Sequence, residues 1–75
     1  MNSNELKIAI FEKGFKISEF ICLLGKQGVL ISRTAFYRKM KGITEFNRRE
    51  MAAMRKILEL EDDRMMKIFF SQKVS

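Results

Sequence analysis

The sequence predicts an all-α fold of five short helices in a single domain, residues 1–75. Three observations lead to this prediction. Apolar residues recur along the chain at spacings of three and four, the period of a helix with one buried face. The chain has no proline, and three of its four glycines follow such a pattern, where a left-handed residue commonly ends a helix. The one stretch rich in β-branched residues, "GVLIS", is too short and isolated to build a sheet.

The first two helices are predicted at residues 5–13 and 17–24. Asn4 is a candidate cap for the first helix, because an asparagine side chain can accept a hydrogen bond from a free N–H of the first turn. Gly14 and Gly25 are expected to end the two helices. The side chains expected to face the core are Leu6, Ala9 and Ile10 of the first helix and Ile17, Phe20, Leu23 and Leu24 of the second.

The third helix is predicted at residues 33–41. Ser32 is suited to cap its start, and Gly42 follows its last turn. Ile31 and Phe36 occupy the two positions of a hydrophobic staple, in which the residue before the cap packs on the fourth residue of the helix. Two independent signals therefore agree on where this helix begins.

The fourth helix, predicted at residues 48–59, has the clearest start. Asn47 and Glu50 have the spacing of a capping box, and Phe46 and Met51 occupy the staple positions. The side chains expected to face the core are Met51, Met54, Ile57 and Leu58.

A fifth helix is predicted at residues 62–70. Asp62 and Asp63 stand at its start, where negative charge is favoured by the helix dipole. The side chains expected to face the core are Met65, Ile68 and Phe69.

The net charge of +6 is concentrated in the middle of the chain. Residues 1–30 carry four basic and three acidic groups, residues 31–56 carry eight and two, and residues 57–75 carry three and four, which gives +1, +6 and −1. Concentrated positive charge indicates a polyanionic partner, nucleic acid first and an anionic membrane surface second. The alternative is a basic protein with a solvated face.

The third helix has two chemically different faces when it is placed on a helical wheel. Phe36 and Met40 fall on one side. A polar, aromatic and cationic stripe falls on the other side and consists of Thr34, Tyr37, Arg38 and Lys41. Hydroxyl groups, a phenol, a guanidinium and an ammonium suit phosphates and base edges, and Arg33 near the helix start can reach a guanine. This pattern is typical of a helix that reads the major groove.

The segments "GFKISEFICLLG" and "ISRTAFYRKMKG" together resemble the helix-turn-helix of the phage Cro and lambda-type repressors. They are most similar to the small phage or prophage regulators whose third helix reads "ISRSTFYRKLNG". The similarity extends through "TEFNRREMAAMRKILELEDDRMMKIFF" and so covers nearly the whole chain. It implies a lambda-repressor-like, five-helix DNA-binding domain, with the second helix across the DNA backbone and the third in the major groove.

The resemblance also implies roles for individual residues. The base-facing positions of the family fall on Arg33, Thr34 and Tyr37. Its backbone-facing positions fall on Lys41, Thr44 and Asn47. At the start of the second helix the family commonly has Ser or Thr followed by a Gln that holds a phosphate; Lys16 and Ile17 occupy these places, and Lys16 is expected to replace the phosphate contact. The turn is predicted to be lengthened, because "KQGVL", residues 26–30, separates Gly25 from Ile31 where the motif has three or four residues.

By this resemblance we expect a sequence-specific regulator that binds double-stranded DNA and represses transcription by occupying an operator. Such proteins read two half-sites as a homodimer, roughly 34 Å apart. The candidate dimer surface is formed by Ile68, Phe69 and Phe70, which cannot all face one core. An equal alternative for Phe70 is a core residue at a frayed helix end.

Other classes of function are not supported by the sequence. There is no histidine, and Cys22 is the only cysteine, so we expect no catalytic centre, no metal site and no cofactor. No apolar run approaches the roughly 18 residues of a membrane span, and the amino terminus does not have the pattern of a signal peptide. We therefore expect a cytoplasmic protein of a bacterial or phage-infected cell, with no membrane and no small-molecule partner.

One alternative function stays open at this point. The same fold could serve as a protein-interaction module, an antirepressor or the binding partner of another regulator. Aromatic and arginine side chains suit protein interfaces as well as DNA, and the lengthened turn favours this alternative.

Overall fold

The computed structural model describes residues 3–70, and within this range the chain forms five α-helices and no strand. The helices are α1 (Ser3–Glu12), α2 (Ile17–Lys26), α3 (Arg33–Met40), α4 (Arg48–Leu58) and α5 (Asp62–Phe69). The predicted all-α, five-helix architecture is therefore confirmed, and each predicted helix boundary lies within two residues of the observed one.

The helices enclose one core. Helix α2 packs against α3 and α4, and α1 packs against α5. The largest side chains that are completely buried come from all five helices and are Leu6, Ile10, Phe20, Leu24, Phe36, Met54 and Ile68. Of the other side chains expected to face the core, Ala9, Met40, Leu58 and Met65 are buried, while Ile17, Leu23, Met51, Ile57 and Phe69 are half-buried.

A chain of aromatic rings runs through this core. The ring centroids of Phe20 and Phe36 are 5.9 Å apart, those of Phe36 and Phe46 are 5.7 Å apart, and those of Phe46 and Phe69 are 6.0 Å apart. All three pairs are edge-to-face, the arrangement that the ring quadrupoles favour. The rings join α2, α3, the α3–α4 connection and α5, so α3 is fixed from its buried side.

The end of α2 differs from its prediction. The helix continues through Gly25 to Lys26, and the left-handed residue that ends it is Gly28, with φ of 85°. The N–H of Val29 donates to the carbonyl of Leu24 at 2.9 Å, and Val29 is buried. This is the Schellman arrangement, in which an apolar residue frequently follows the glycine and packs back on the helix. Val29 supplies that residue, whereas Gly25 is followed by a lysine.

The corrected end of α2 changes the description of the turn. The connection between α2 and α3 consists of residues 27–32. It is longer than the three or four residues of the usual motif. Of the five residues predicted as an insertion, Lys26 belongs to the helix, and only residues 27–30 lie in the connection.

Two predicted caps are confirmed and one is wrong. The Oγ atom of Ser32 accepts from the N–H of Ala35 at 3.1 Å and so caps α3. Asn47 and Glu50 form the capping box of α4, with two backbone-to-side-chain bonds of 2.8 Å. Helix α1 begins at Ser3, so Asn4 lies inside its first turn and does not precede the helix.

Helix α4 ends without a glycine. Glu59 takes the left-handed position with φ of 53°, and the N–H of Leu60 donates to the carbonyl of Arg55 at 3.1 Å. Glu59 Oε2 lies 2.7 Å from Lys13 Nζ, just beyond the end of α1. The hydrogen bond and the positive charge of Lys13 lower the pKa of Glu59 below its usual value of about 4.5.

This shift predicts a stability difference that depends on pH. A carboxyl group whose pKa is lower in the folded state stabilises the fold above its unfolded pKa, and this contribution is lost as pH falls through the folded pKa. Glu59→Gln should therefore lower the melting temperature slightly at pH 7 and leave it unchanged in strong acid. The effect should be small, because both side chains are well exposed. Thermal unfolding between pH 2 and pH 7 measures it.

The matched control is Glu45→Gln, which removes the same charge from an exposed carboxylate in the connection between α3 and α4. Within residues 3–70, Glu45 has no ion-pair partner. The melting temperature of this variant should follow the wild-type curve more closely at neutral pH. If the difference in melting temperature between Glu59→Gln and the wild type were the same at every pH, the ion pair of Glu59 with Lys13 would contribute nothing to stability.

Candidate nucleic-acid interface

The two faces predicted for α3 are present in the structure. Phe36 and Met40 are buried against the other helices. The exposed side carries Arg33, Thr34, Arg38 and Lys41, the last of these at the carboxyl end of the helix. The helix therefore presents a continuous polar and cationic surface to solvent.

Tyr37 lies at the edge of this surface. Its side chain is half-buried, and its ring centroid is 6.4 Å from that of Phe36 in an edge-to-face contact. The packed edge restrains the ring. A restrained phenol at the border between core and solvent can offer its hydroxyl to a ligand at a low cost in side-chain entropy.

A wide cleft lies between α3 and the connection that follows it. Its volume is about 490 Å³, and it brings Thr34 and Arg38 of α3 together with Thr44. The other residues that line it are Ser32, Ala35, Lys39 and Glu45. Thr44, which was predicted only from the resemblance, thus belongs to the same surface as the helix stripe.

The two remaining predicted positions lie at helix starts. Asn47 Oδ1 is engaged by the N–H of Glu50, so only its NH₂ group is left to donate to a ligand. Lys16 precedes α2, and its N–H donates to Glu19 Oε1 at 2.8 Å. The Lys16 side chain is exposed and, among the described residues, lacks an ion-pair partner. Both residues are accessible, and the capping bond leaves the NH₂ group of Asn47 able to donate to a ligand.

Most ion pairs lie away from α3. Glu12 and Glu5 of α1 pair with Arg64 and Lys67 of α5, at 2.8 Å and 3.5 Å. A third pair joins Lys13 to Glu59, and a fourth joins Arg55 of α4 to Asp62 of α5. These pairs hold together the part of the domain formed by α1, α5 and the end of α4, and they neutralise its charge locally.

The cations of α3 have no such compensation. Within residues 3–70, no carboxylate lies within 4.0 Å of the charged groups of Arg33, Arg38 or Lys41. The same holds for Arg48 and Arg49 at the start of α4, both of which are exposed. The two arginines were not among the predicted site residues. The sequence feature that could have indicated Arg48 and Arg49 is the excess of basic residues in the middle third of the chain.

Lys39 is the exception among the basic residues of α3. Its ammonium lies 2.6 Å from both carboxylate oxygens of Glu50. The side chains are 17% and 10% exposed. Through this pair Lys39 joins α3 to α4.

The candidate dimer residues differ in exposure. Ile68 is completely buried and belongs to the core, Phe69 is half-buried, and Phe70 is 51% exposed. Phe69 and Phe70 line a groove of about 300 Å³ together with Lys39, Gly42, Thr44, Glu45, Phe46 and Met51. Of the three residues, Phe70 is therefore the one best placed to meet another molecule.

The cysteine and the acidic residues of the described chain do not come together as a metal site. Cys22 is exposed and unpaired. Residues 3–70 contain no group of three or more side chains that could hold a metal ion. In the same part of the chain, no helix has the length and apolar character needed to cross a bilayer.

Comparisons with known proteins do not assign a family to this chain. No protein-family model matches it, and no curated protein sequence or solved structure matches it either. The similarity to Cro and lambda-type repressors therefore stays a prediction made from the sequence. The function has to be inferred from the charge, exposure and arrangement of the side chains on α3 and at the start of α4.

Proposed function

We propose that this protein is a sequence-specific regulator of transcription that binds double-stranded DNA with α3 in the major groove, in the manner of the Cro-type phage and prophage repressors. One observation carries the proposal: Arg33, Arg38 and Lys41 of α3 and Arg48 and Arg49 at the start of α4 are exposed and have no ion-pair partner within residues 3–70. Four of the five ion pairs of the described chain lie instead on or next to α1, α5 and the end of α4. Unpaired exposed cations such as Lys7 and Lys56 also occur elsewhere, but five of them come together on α3 and the start of α4.

The side chains divide naturally between two roles. Arg33, Thr34 and Tyr37 are suited to base edges, because they combine a bidentate donor, a hydroxyl with a methyl group and a restrained phenol. Arg38, Lys41, Arg48 and Arg49 are suited to phosphates, since a cation placed at the backbone releases counterions and adds affinity without sequence preference. Lys16, Thr44 and the NH₂ group of Asn47 would add further backbone contacts.

The experiment that tests this proposal is selection from a random pool of DNA duplexes at moderate salt, followed by fluorescence anisotropy on the enriched sequences. A short palindromic consensus, bound far better than scrambled DNA, is the expected result. A palindrome would also report a symmetric dimer on its operator. Absence of enrichment, with only weak salt-sensitive binding, would contradict the proposal.

The second candidate function is a protein-interaction module, such as an antirepressor. The exposed apolar side chains next to the cationic surface favour it: Leu30 before α3 is 92% exposed, and Ile43 after α3 is 67% exposed. Salt distinguishes the two functions. DNA affinity should fall by about one log unit per contacted phosphate for each tenfold rise in salt, whereas a mainly apolar protein contact should depend little on salt.

Dimer formation gives a prediction of its own. Phe70→Ser should raise the dimer dissociation constant severalfold, because the variant loses the contact area of an exposed aromatic side chain beside Phe46, Met51 and Phe69. Analytical ultracentrifugation over a range of protein concentrations measures this constant, with and without operator DNA. Ile8→Ser, which changes an exposed apolar residue of α1, is the control and should have no effect. Equal behaviour of both variants would place the dimer surface elsewhere.

A further inference from the structure

Lys39 and Glu50 form the most enclosed ion pair of the described chain. Both carboxylate oxygens of Glu50 lie 2.6 Å from Lys39 Nζ. Each of the other four pairs has at least one side chain that is more than half exposed. Because the Lys39–Glu50 pair is largely shielded from water, salt screens it less than the surface pairs.

The pair belongs to a larger network across the α3–α4 connection. Glu50 Oε1 also accepts from the N–H of Asn47 at 2.8 Å, and Asn47 Oδ1 accepts from the N–H of Glu50 at the same distance. The ring of Phe46 lies 5.9 Å from Lys39 Nζ, within range of a cation–π contact. The carboxylate of Glu50 therefore ties the last turn of α3 to the first turn of α4.

This network lies between the two groups of exposed cations. Lys39 is flanked along α3 by Arg38 and Lys41, and Glu50 follows Arg48 and Arg49 directly. The same two residues that hold the helices together thus set the position of one group of cations relative to the other. A binding surface that spans two elements needs such support to keep its geometry.

We propose that Lys39 and Glu50 are positioning residues, which hold the base-reading face of α3 in register with the phosphate-contacting start of α4. This inference rests on the proposed DNA-binding function. It assigns to a basic residue of α3 a role other than contact with DNA. Because Glu50 already balances the positive charge of Lys39, the pair should contribute little to the general affinity for DNA. Its loss should therefore affect mainly the preference for one sequence.

Two variants test the inference through opposite charge changes. Lys39→Met removes a cation, and Glu50→Gln removes an anion but keeps an oxygen that can accept from Asn47. If charge alone mattered, Glu50→Gln would bind DNA more tightly than the wild type. If the pair positions α3, both variants should bind the preferred duplex more weakly, by about tenfold, while their affinity for scrambled DNA and their salt slope stay close to the wild-type values.

The controls separate positioning from loss of fold and from loss of charge. Lys39→Arg keeps the pair and should restore the preference. Lys56→Met removes an exposed cation of α4 that has no ion-pair partner within residues 3–70, and it should leave the preference intact. Residual dipolar couplings of the free proteins, measured by NMR, should show a changed angle between α3 and α4 in Lys39→Met and Glu50→Gln. They also show whether each variant is folded.

The experiment distinguishes failure of the positioning role of Lys39 and Glu50 from failure of the proposed DNA-binding function. A wild-type protein that has no preferred duplex would overturn the proposed function and, with it, this inference. A wild-type protein with a preferred duplex, combined with variants that keep the full preference and the same helix angle, would overturn this inference alone. A salt slope that falls by about one in Lys39→Met would also overturn it, because it would identify Lys39 as a phosphate contact.

Discussion

Phe36→Ala is expected to destabilise the fold severely. The Phe36 side chain is completely buried and makes edge-to-face contacts with the rings of Phe20, Tyr37 and Phe46. Truncating a phenylalanine at such a site costs about 3–5 kcal/mol. A chain of 75 residues has a total free energy of unfolding of roughly 4–11 kcal/mol, by the usual value per residue. The substitution therefore removes a large part of the total stability.

Urea unfolding followed by circular dichroism measures this effect, and the chain provides a matched control. Phe11→Ala makes the same chemical change at a side chain that is 59% exposed. Its free energy of unfolding should stay within about 0.5 kcal/mol of the wild-type value. If the two variants lost similar stability, the aromatic chain through α2, α3 and α5 would not be the centre of the core.

Arg33→Ala is expected to weaken binding to the preferred duplex by about 1–3 kcal/mol and to relax the preference at the base it contacts. Lys41→Ala should weaken binding to every duplex alike and reduce the slope of log affinity against log salt by about one. The contrast follows from the proposed roles, since a base contact carries sequence information and a phosphate contact does not. Anisotropy on preferred and scrambled duplexes at several salt concentrations measures both.

Two further variants sharpen this experiment. Tyr37→Phe removes only the hydroxyl and keeps the ring that packs against Phe36, so a loss of sequence preference cannot be attributed to packing. Lys7→Ala removes an exposed cation from α1 and should change neither the preference nor the affinity appreciably. Equal losses from Arg33→Ala and Lys41→Ala on all duplexes would mean that α3 holds the DNA backbone without reading bases.

The starts of α3 and α4 were predictable because they depend on local chemistry. The side chain of Ser32 and the Asn47–Glu50 capping box bond to backbone N–H groups three residues away. Each cap can therefore be recognised from four consecutive residues of the sequence. The end of α2 was predicted incorrectly at Gly25, although the sequence contains a signal for the observed end. A glycine followed by an apolar residue indicates a Schellman motif, and Gly28 with Val29 meets that condition.

The role of Lys39 could not be predicted from the sequence. In the amino-acid sequence Lys39 is one of several cations in a basic helix. Its partner Glu50 lies eleven residues further along, in another helix. Glu50 was recognised as a capping residue, but a cap uses only part of the hydrogen-bonding capacity of a carboxylate. The second use of the carboxylate depends on how α3 and α4 pack. Ile68 was expected both to face the core and to belong to the candidate dimer surface, and its burial confirms only the first expectation.

The segregation of the ion pairs also has a kinetic consequence. Most ion pairs of the described residues lie on α1, α5 and the end of α4, whereas Arg33, Arg38, Lys41, Arg48 and Arg49 have none. We expect this uneven distribution to give the molecule an electric dipole in addition to its net charge. A dipole turns a protein in the field of a polyanion before the two touch, so more of the collisions begin with the charged face forward. The association rate constant with any duplex, preferred or scrambled, should then be high in dilute salt and fall steeply once the Debye length shrinks to about 10 Å near 0.1 M.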